Sequence, residues 1–190
     1  MATATVVNGL NVQGIQDMVE MVKAQPQVAK AVFYATTIWR GGFHNEAVVK
    51  PFSMGGAMNN TSRKKAFTIV GDHPQELLGT AKGPSSVEVL LSALGHCLAS
   101  GWATYGANMG IPVEGLRIEV EGDIDLQGML ALPEPGAVPA GFQEIRATYH
   151  VKSSAPRDQL EQLAKMAEDL SPTRHSLRAV NFSSDLGVQE

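Results

Sequence analysis

The run from Ser85 to Met109, "SSVEVLLSALGHCLASGWATYGANM", constrains this chain more than any other stretch. It contains no proline, opens on Ser85-x-x-Glu88 and is followed by Gly110-Ile111-Pro112. Ser followed three residues later by Glu is a helix-start pattern in which each side chain accepts an orphan backbone N–H. Glycine and proline just beyond a periodic run end a helix. The spacing therefore predicts a long helix from near Ser85 to just before Gly110, long enough to be the central element. At about 100° per residue, Leu90, Ala93, Leu94 and Cys97 fall on one packing side and Glu88 lies roughly opposite Cys97.

Cys97 is the only cysteine in 190 residues. One cysteine forms no internal disulfide and no Cys-based zinc site, which leaves a small apolar filler or a free reactive thiol. Periodicity alone favours the filler, because free cysteine is among the most buried residue types. Other features of the helix point the other way. Gly95, Gly101 and Gly106 each cost about 1 kcal/mol relative to Ala in a helix interior, and such residues persist where another backbone must come close. His96, Ser100, Thr104 and Tyr105 interleave polar groups with the apolar side.

The flanking segments predict mixed secondary structure. "NVQGIQDMVEMVKAQP" has helical spacing, with Asn11 as cap and Pro26 as terminator, and is expected to be an N-terminal helical extension over 1–27. "VAKAVFYATTIWR" (28–40) reads as a strand that turns at Gly41-Gly42 into a returning strand, "HNEAVVKPF". "SMGGAMNNTSR" (53–63) reads as a loop and "KAFTIVGD" as a third strand. Beyond the long helix, "GLRIEVEGDID" alternates Leu116, Ile118 and Val120 against charged residues, and "QEIRATYHVKSS" alternates again. "LQGMLALPEPGAVPAGF" has too many prolines and glycines for an element and reads as a long excursion loop. "PRDQLEQLAKMAEDL" places Leu160, Leu163, Ala164, Ala167 and Leu170 on one helix face behind Pro156. A short helix "TRHSLR" and a last strand "AVNFSSDL" complete the order. Strands paired mainly as hairpins, with helices between the groups, indicate an α+β fold with mixed or antiparallel sheets. No glycine-rich phosphate loop follows any strand.

Composition excludes several function classes. A net charge of -4 without a basic stripe argues against a nucleic-acid partner; Arg63-Lys64-Lys65 is too short to count and reads as a solvated loop. No run reaches the ~20 apolar residues of a membrane span. Residues 1–12 lack the basic start and apolar core of a secretion signal, so a cytoplasmic location is expected. His44, His73 and His150 have no metal-ligand spacing, and neither metal nor cofactor is expected.

The helix motif "PSSVEVLLSALGHCLASGW" resembles the signature helix of the OsmC/Ohr family, in which a Glu precedes "LL-x-ALG-x-C". The resemblance extends from about Val28 to Leu186, which places an OsmC-like domain over 28–190. It implies an intertwined homodimer with long helices packed centrally and active sites at the subunit interface. It also implies reduction of organic hydroperoxides by a peroxide-attacking cysteine. Carried over residue by residue, that thiol is Cys97, the carboxylate at the start of its helix is Glu88, and the arginine of the N-terminal hairpin is Arg40 in "IWRGG". Glu88 stands one residue later than in the hydroperoxide branch, where the matching position here is Val87.

Only a thiolate attacks the O–O bond, and a guanidinium beside a thiol favours that form while orienting an oxygen substrate. By residue type alone, Arg40 reads equally as a solvent-facing charge at a strand end, and Glu88 as the capping carboxylate. The resemblance breaks at Ser171, where the peroxidase branch carries a second cysteine that condenses with the oxidised first one. A hydroxyl cannot do this, so an external thiol is expected to restore Cys97. His175, in the same segment, is a candidate neighbour of the site, and His96 reads as a polar interface residue. Three functions remain: a one-cysteine hydroperoxide reductase, a non-catalytic relative binding a small apolar ligand at the dimer interface, or a structural or partner-binding role for the N-terminal helix.

Overall fold

The computed structural model describes residues 5–177 and 181–189. In chain order its elements are β1 (Val6–Val7), β2 (Leu10–Asn11), α1 (Val12–Ala24), a 3-10 turn (Pro26–Ala29), β3 (Ala31–Phe33), β4 (Thr36–Gly41) and β5 (His44–Val49). Next come β6 (Phe52–Met54), β7 (Ala57–Asn59), β8 (Phe67–Gly71), a 3-10 turn (Gln75–Leu77) and α2 (Ser86–Met109). The chain closes with β9 (Gly115–Asp123), α3 (Leu126–Met129), β10 (Glu144–Lys152), α4 (Arg157–Asp169), α5 (Pro172–Ser176) and β11 (Asn181–Gln189). This is the expected α+β class. The chain divides into two compact units, one formed by residues through Gln13 together with those from Leu90 on, the other by Gly14–Val89.

In the first unit, β9 pairs antiparallel with β10, and β11 adds to the other edge of β10 in parallel, Glu144 opposite Asn181 through Lys152 opposite Gln189. The parallel pairing departs from the hairpin pattern because α4 and α5 carry the chain back across the sheet before β11 starts, as a parallel connection requires. Of the predicted last strand and short helix, Arg178, Ala179 and Val180 lie outside the described residues. The alternation expected for β10 is realised: Ile145, Ala147, Tyr149 and Val151 are buried. On α4, Leu160, Leu163, Ala164 and Ala167 are buried as well. Leu170 does not join them and is 53% exposed, because α4 stops at Asp169 and Leu170 sits in its non-helical C-cap, its N–H bonded back to the Met166 carbonyl.

The buried stripe of α2 is Leu94, Leu98 and Trp102, each fully buried, continued by Gly106. Ala93, expected on the packing side, is exposed. The stripe follows the i, i+4 row because α4 lies against it. A Cβ on Gly101 would stand 3.0 Å from the Cβ of Ala167, and one on Gly106 would stand 3.3 Å from Leu163 Cδ2, so two of the three helix glycines do mark a close approach. Gly95 is different, since its added Cβ would meet Val120 at an ordinary 3.6 Å. The Trp102 ring packs on Tyr149 with centroids 5.5 Å apart. Asn8, between β1 and β2, ties the N-terminal hairpin to the end of α2, donating to the Ile111 carbonyl and accepting from the Val113 N–H. The expected excursion loop contains α3, started by Asp125, whose side chain accepts the Gln127 N–H.

The second unit holds α1, close to its expected span, and two three-stranded antiparallel sheets, β3-β6-β7 and β4-β5-β8. The single strand expected over 28–40 is instead a 3-10 turn and two strands. The chain changes partner at Tyr34-Ala35: β3 pairs with β6, and β4 with β5. Pro51, without an N–H to give a ladder, separates β5 from β6. The segment expected as a loop from Ser53 contains the β6–β7 hairpin. Gly55 and Gly56, both at positive φ (58° and 82°), form its two-residue turn. Among the described residues, the buried apolar core lies wholly between Leu94 and Ala167. In the second unit, by contrast, Phe33, Trp39, Phe67 and Val32 are more than half exposed.

Candidate active site around Cys97

The segment "LSPTR" builds the site from local rules. Ser171 is a preferred N-cap and Pro172 occupies the first helical position, where its missing N–H costs nothing. Ser171 Oγ accepts the Arg174 N–H at 3.1 Å, and its carbonyl accepts the His175 N–H at 3.0 Å. The Ser171 N–H returns to the Glu168 carbonyl at 3.2 Å, fixing the turn against the end of α4. Ser171 is only 2% exposed.

This turn delivers its polar groups to the sulfur of α2. The Ser171 hydroxyl donates to Cys97 Sγ at 3.1 Å, across 74 residues of chain. Thr173 also acts on the sulfur through its side chain and its backbone, in the direction that favours the ionised form. Burial pushes the half-buried Cys97 thiol up, but the bonds from Ser171 and Thr173 outweigh it and hold the thiol below its usual range. Hydrogen bonds to the charged form lower the pKa of an acid, and here the donors are neutral. The arrangement favours the nucleophilic form of sulfur.

The other two expected site residues lie in the second unit, each held by a local partner. Arg40 Nη2 binds Glu46 Oε2 at 2.8 Å, with Nε of the same residue at 3.1 Å from that oxygen. The Arg40 hydrogen bond and charge hold Glu46 below the usual carboxylate range. Glu88 Oε2 accepts both the N–H and the hydroxyl of Ser85 at 2.7 Å, and these bonds lower its pKa. The capping reading of Glu88 is thus realised on the Glu side, with the Ser85 hydroxyl donating a hydrogen bond to the carboxylate.

His175 places Nε2 2.7 Å from the Asp169 carbonyl, and His96 is exposed. Among the described residues, no group of three His, Cys, Asp or Glu side chains is placed to hold a metal ion, and no helix is long and apolar enough to cross a membrane. Sequence reasoning missed Thr173 and the donor role of Ser171. The Ser-Pro-Thr start of a helix was legible, but not its position beside Cys97.

Fold and site together define an α+β protein whose long central helix presents one thiol to hydrogen-bond donors from a C-terminal turn. The model of the OsmC-like protein family matches residues 79–185. The chain belongs to this OsmC/Ohr family. No curated protein matches the sequence. Among solved structures, an OsmC-like protein from Mycoplasma pneumoniae is 16% identical, with a TM-score of 0.65 over 83% of this chain and 97% of its own. An OsmC-like protein of Vibrio cholerae has a TM-score of 0.59 at 12% identity, covering 81% of this chain and 97% of its own. An organic hydroperoxide resistance protein OsmC from Legionella pneumophila has a TM-score of 0.54 at 17% identity, covering 85% of this chain and all of its own. At these identities the likeness establishes the fold.

Proposed function

We propose that this protein reduces organic hydroperoxides through Cys97, with an external thiol as reductant. The observation that carries the reading is the half-buried sulfur that accepts the Ser171 hydroxyl at 3.1 Å, with Thr173 also favouring its ionised form. The thiolate attacks the distal peroxide oxygen: an S–O bond forms, the O–O bond breaks, and the departing alkoxide takes a proton to become the alcohol. The product is a sulfenic acid on Cys97. A first external thiol attacks its sulfur, forming a mixed disulfide and releasing water. A second attacks the mixed disulfide, restoring Cys97 and releasing the oxidised reductant. The membership in the OsmC/Ohr family and the name of the Legionella relative support a peroxide-related role.

In this reading the protein acts as a homodimer. The exposed Phe33, Trp39 and Phe67 of a unit without buried apolar side chains among its described residues support an apolar partner surface. Arg40 is assigned to orient the peroxide and Glu88 to hold that arginine. The test is consumption of cumene hydroperoxide by the full chain with dihydrolipoamide or thioredoxin as reductant. Turnover abolished in Cys97→Ser supports the proposal; unchanged turnover in that variant removes it. An absence of peroxide consumption together with a small apolar ligand retained in native mass spectrometry would establish the ligand-binding alternative instead.

A further inference from the structure

We infer that Ser171 is a positioning residue for Cys97, its hydroxyl donating a hydrogen bond that orients the sulfur and favours its reactive form. The inference rests on Cys97 being the reacting atom proposed above. A hydroxyl has one proton to give and two lone pairs to receive with. The Arg174 N–H takes one acceptor position at 3.1 Å, which leaves the proton for Cys97 Sγ at 3.1 Å. At 2% exposure, Ser171 has little water competing for that proton. A thiolate is an acceptor only, so the bond becomes charge-assisted and roughly doubles in strength when the thiol ionises.

Arg174 Nη1 lies 3.6 Å from Asp169 Oδ1, His175 Nε2 lies 2.7 Å from the Asp169 carbonyl, and His96 is exposed on α2. Ser171 is the donor hydrogen-bonded to the sulfur, and its own helix-capping bond locks it in place. Replacing a cysteine by serine elsewhere in a thiol site is ordinarily a loss of chemistry. Here the serine supplies what the first sulfur needs.

The test is the rate of Cys97 alkylation by iodoacetamide in the folded full chain from pH 5 to 10. Ser171→Ala is expected to raise the midpoint by about one pH unit and to slow alkylation about tenfold at pH values well below the wild-type midpoint, while leaving the high-pH plateau unchanged. Ser171→Thr, which keeps the hydroxyl, is expected to restore the wild-type profile. Loss of the cap alone lowers the melting temperature but does not move the alkylation midpoint. Where Ser171→Ala does not fold, Ser171→Gly, a tolerated N-cap without a hydroxyl, takes its place with the same expectation. A midpoint identical to wild type in the folded variant overturns the inference. Alkylation needs no peroxide, so a shifted midpoint without hydroperoxide turnover isolates a failure of the functional reading, and turnover with an unshifted midpoint isolates a failure of this one.

Discussion

Gly95 and Gly101 lie on the same helix and allow the packing of α2 against α4 to be measured with helix propensity removed. Gly→Ala in a helix interior gains about 1 kcal/mol at either position, so the difference between the two variants reports what the new methyl meets. At Gly95 it meets Val120 Cγ2 at 3.6 Å, an ordinary contact. At Gly101 it meets Ala167 Cβ at 3.0 Å and Ala167 Cα at 3.1 Å, well inside the ~3.5–4.0 Å optimum for two carbons. Because one clashing atom is backbone, a side-chain rotation cannot relieve it and α4 must move. Overpacking of this kind costs roughly 1–3 kcal/mol. Gly95→Ala is therefore expected to stabilise by about 1 kcal/mol and Gly101→Ala to destabilise by about 1 kcal/mol, a separation near 2 kcal/mol. Urea unfolding at one fixed protein concentration, with unchanged m-values, measures it. Equal effects of the two substitutions would refute the claim that α2 and α4 meet backbone to backbone at Gly101.

Two further outcomes follow from other buried polar groups. Asp72, 1% exposed, accepts the Thr80 hydroxyl and the N–H groups of His73, Thr80 and Lys82, and the Thr80 bond foremost holds its carboxyl well below the usual range. Such a group stabilises the fold fully above the unfolded carboxyl value of about 3.9 and loses that contribution as pH falls toward its folded value. Urea midpoints from pH 6 to 3 are expected to fall less steeply in Asp72→Asn than in wild type, and equal slopes would count against the assignment. Tyr149, fully buried, donates its hydroxyl to Glu168 at 3.1 Å while its ring packs on Trp102. Tyr149→Phe keeps the ring and loses the bond, at a cost of about 1 kcal/mol; thermal denaturation indistinguishable from wild type would show that the bond contributes nothing.

Local rules determined a large share of this protein from its sequence. The capping residues and the Gly-Ile-Pro stop placed α2 within a residue of its ends, and period-two alternation placed β9 and β10 with the correct faces inward, because both signals are carried by neighbours a few positions apart. The motif around Cys97 was enough to assign the family. Tertiary structure alone decided four other things. It split residues 28–40 between two sheets, since a strand's partner is chosen by residues far along the chain. It made β11 parallel to β10 and turned the α2 face onto Leu94, Leu98 and Trp102, since the buried stripe follows whichever helix packs there. It also set Ser171 and Thr173 beside Cys97 from more than seventy residues away. Sequence periodicity has no reach over that distance, and the state of a sulfur depends on the atoms that touch it.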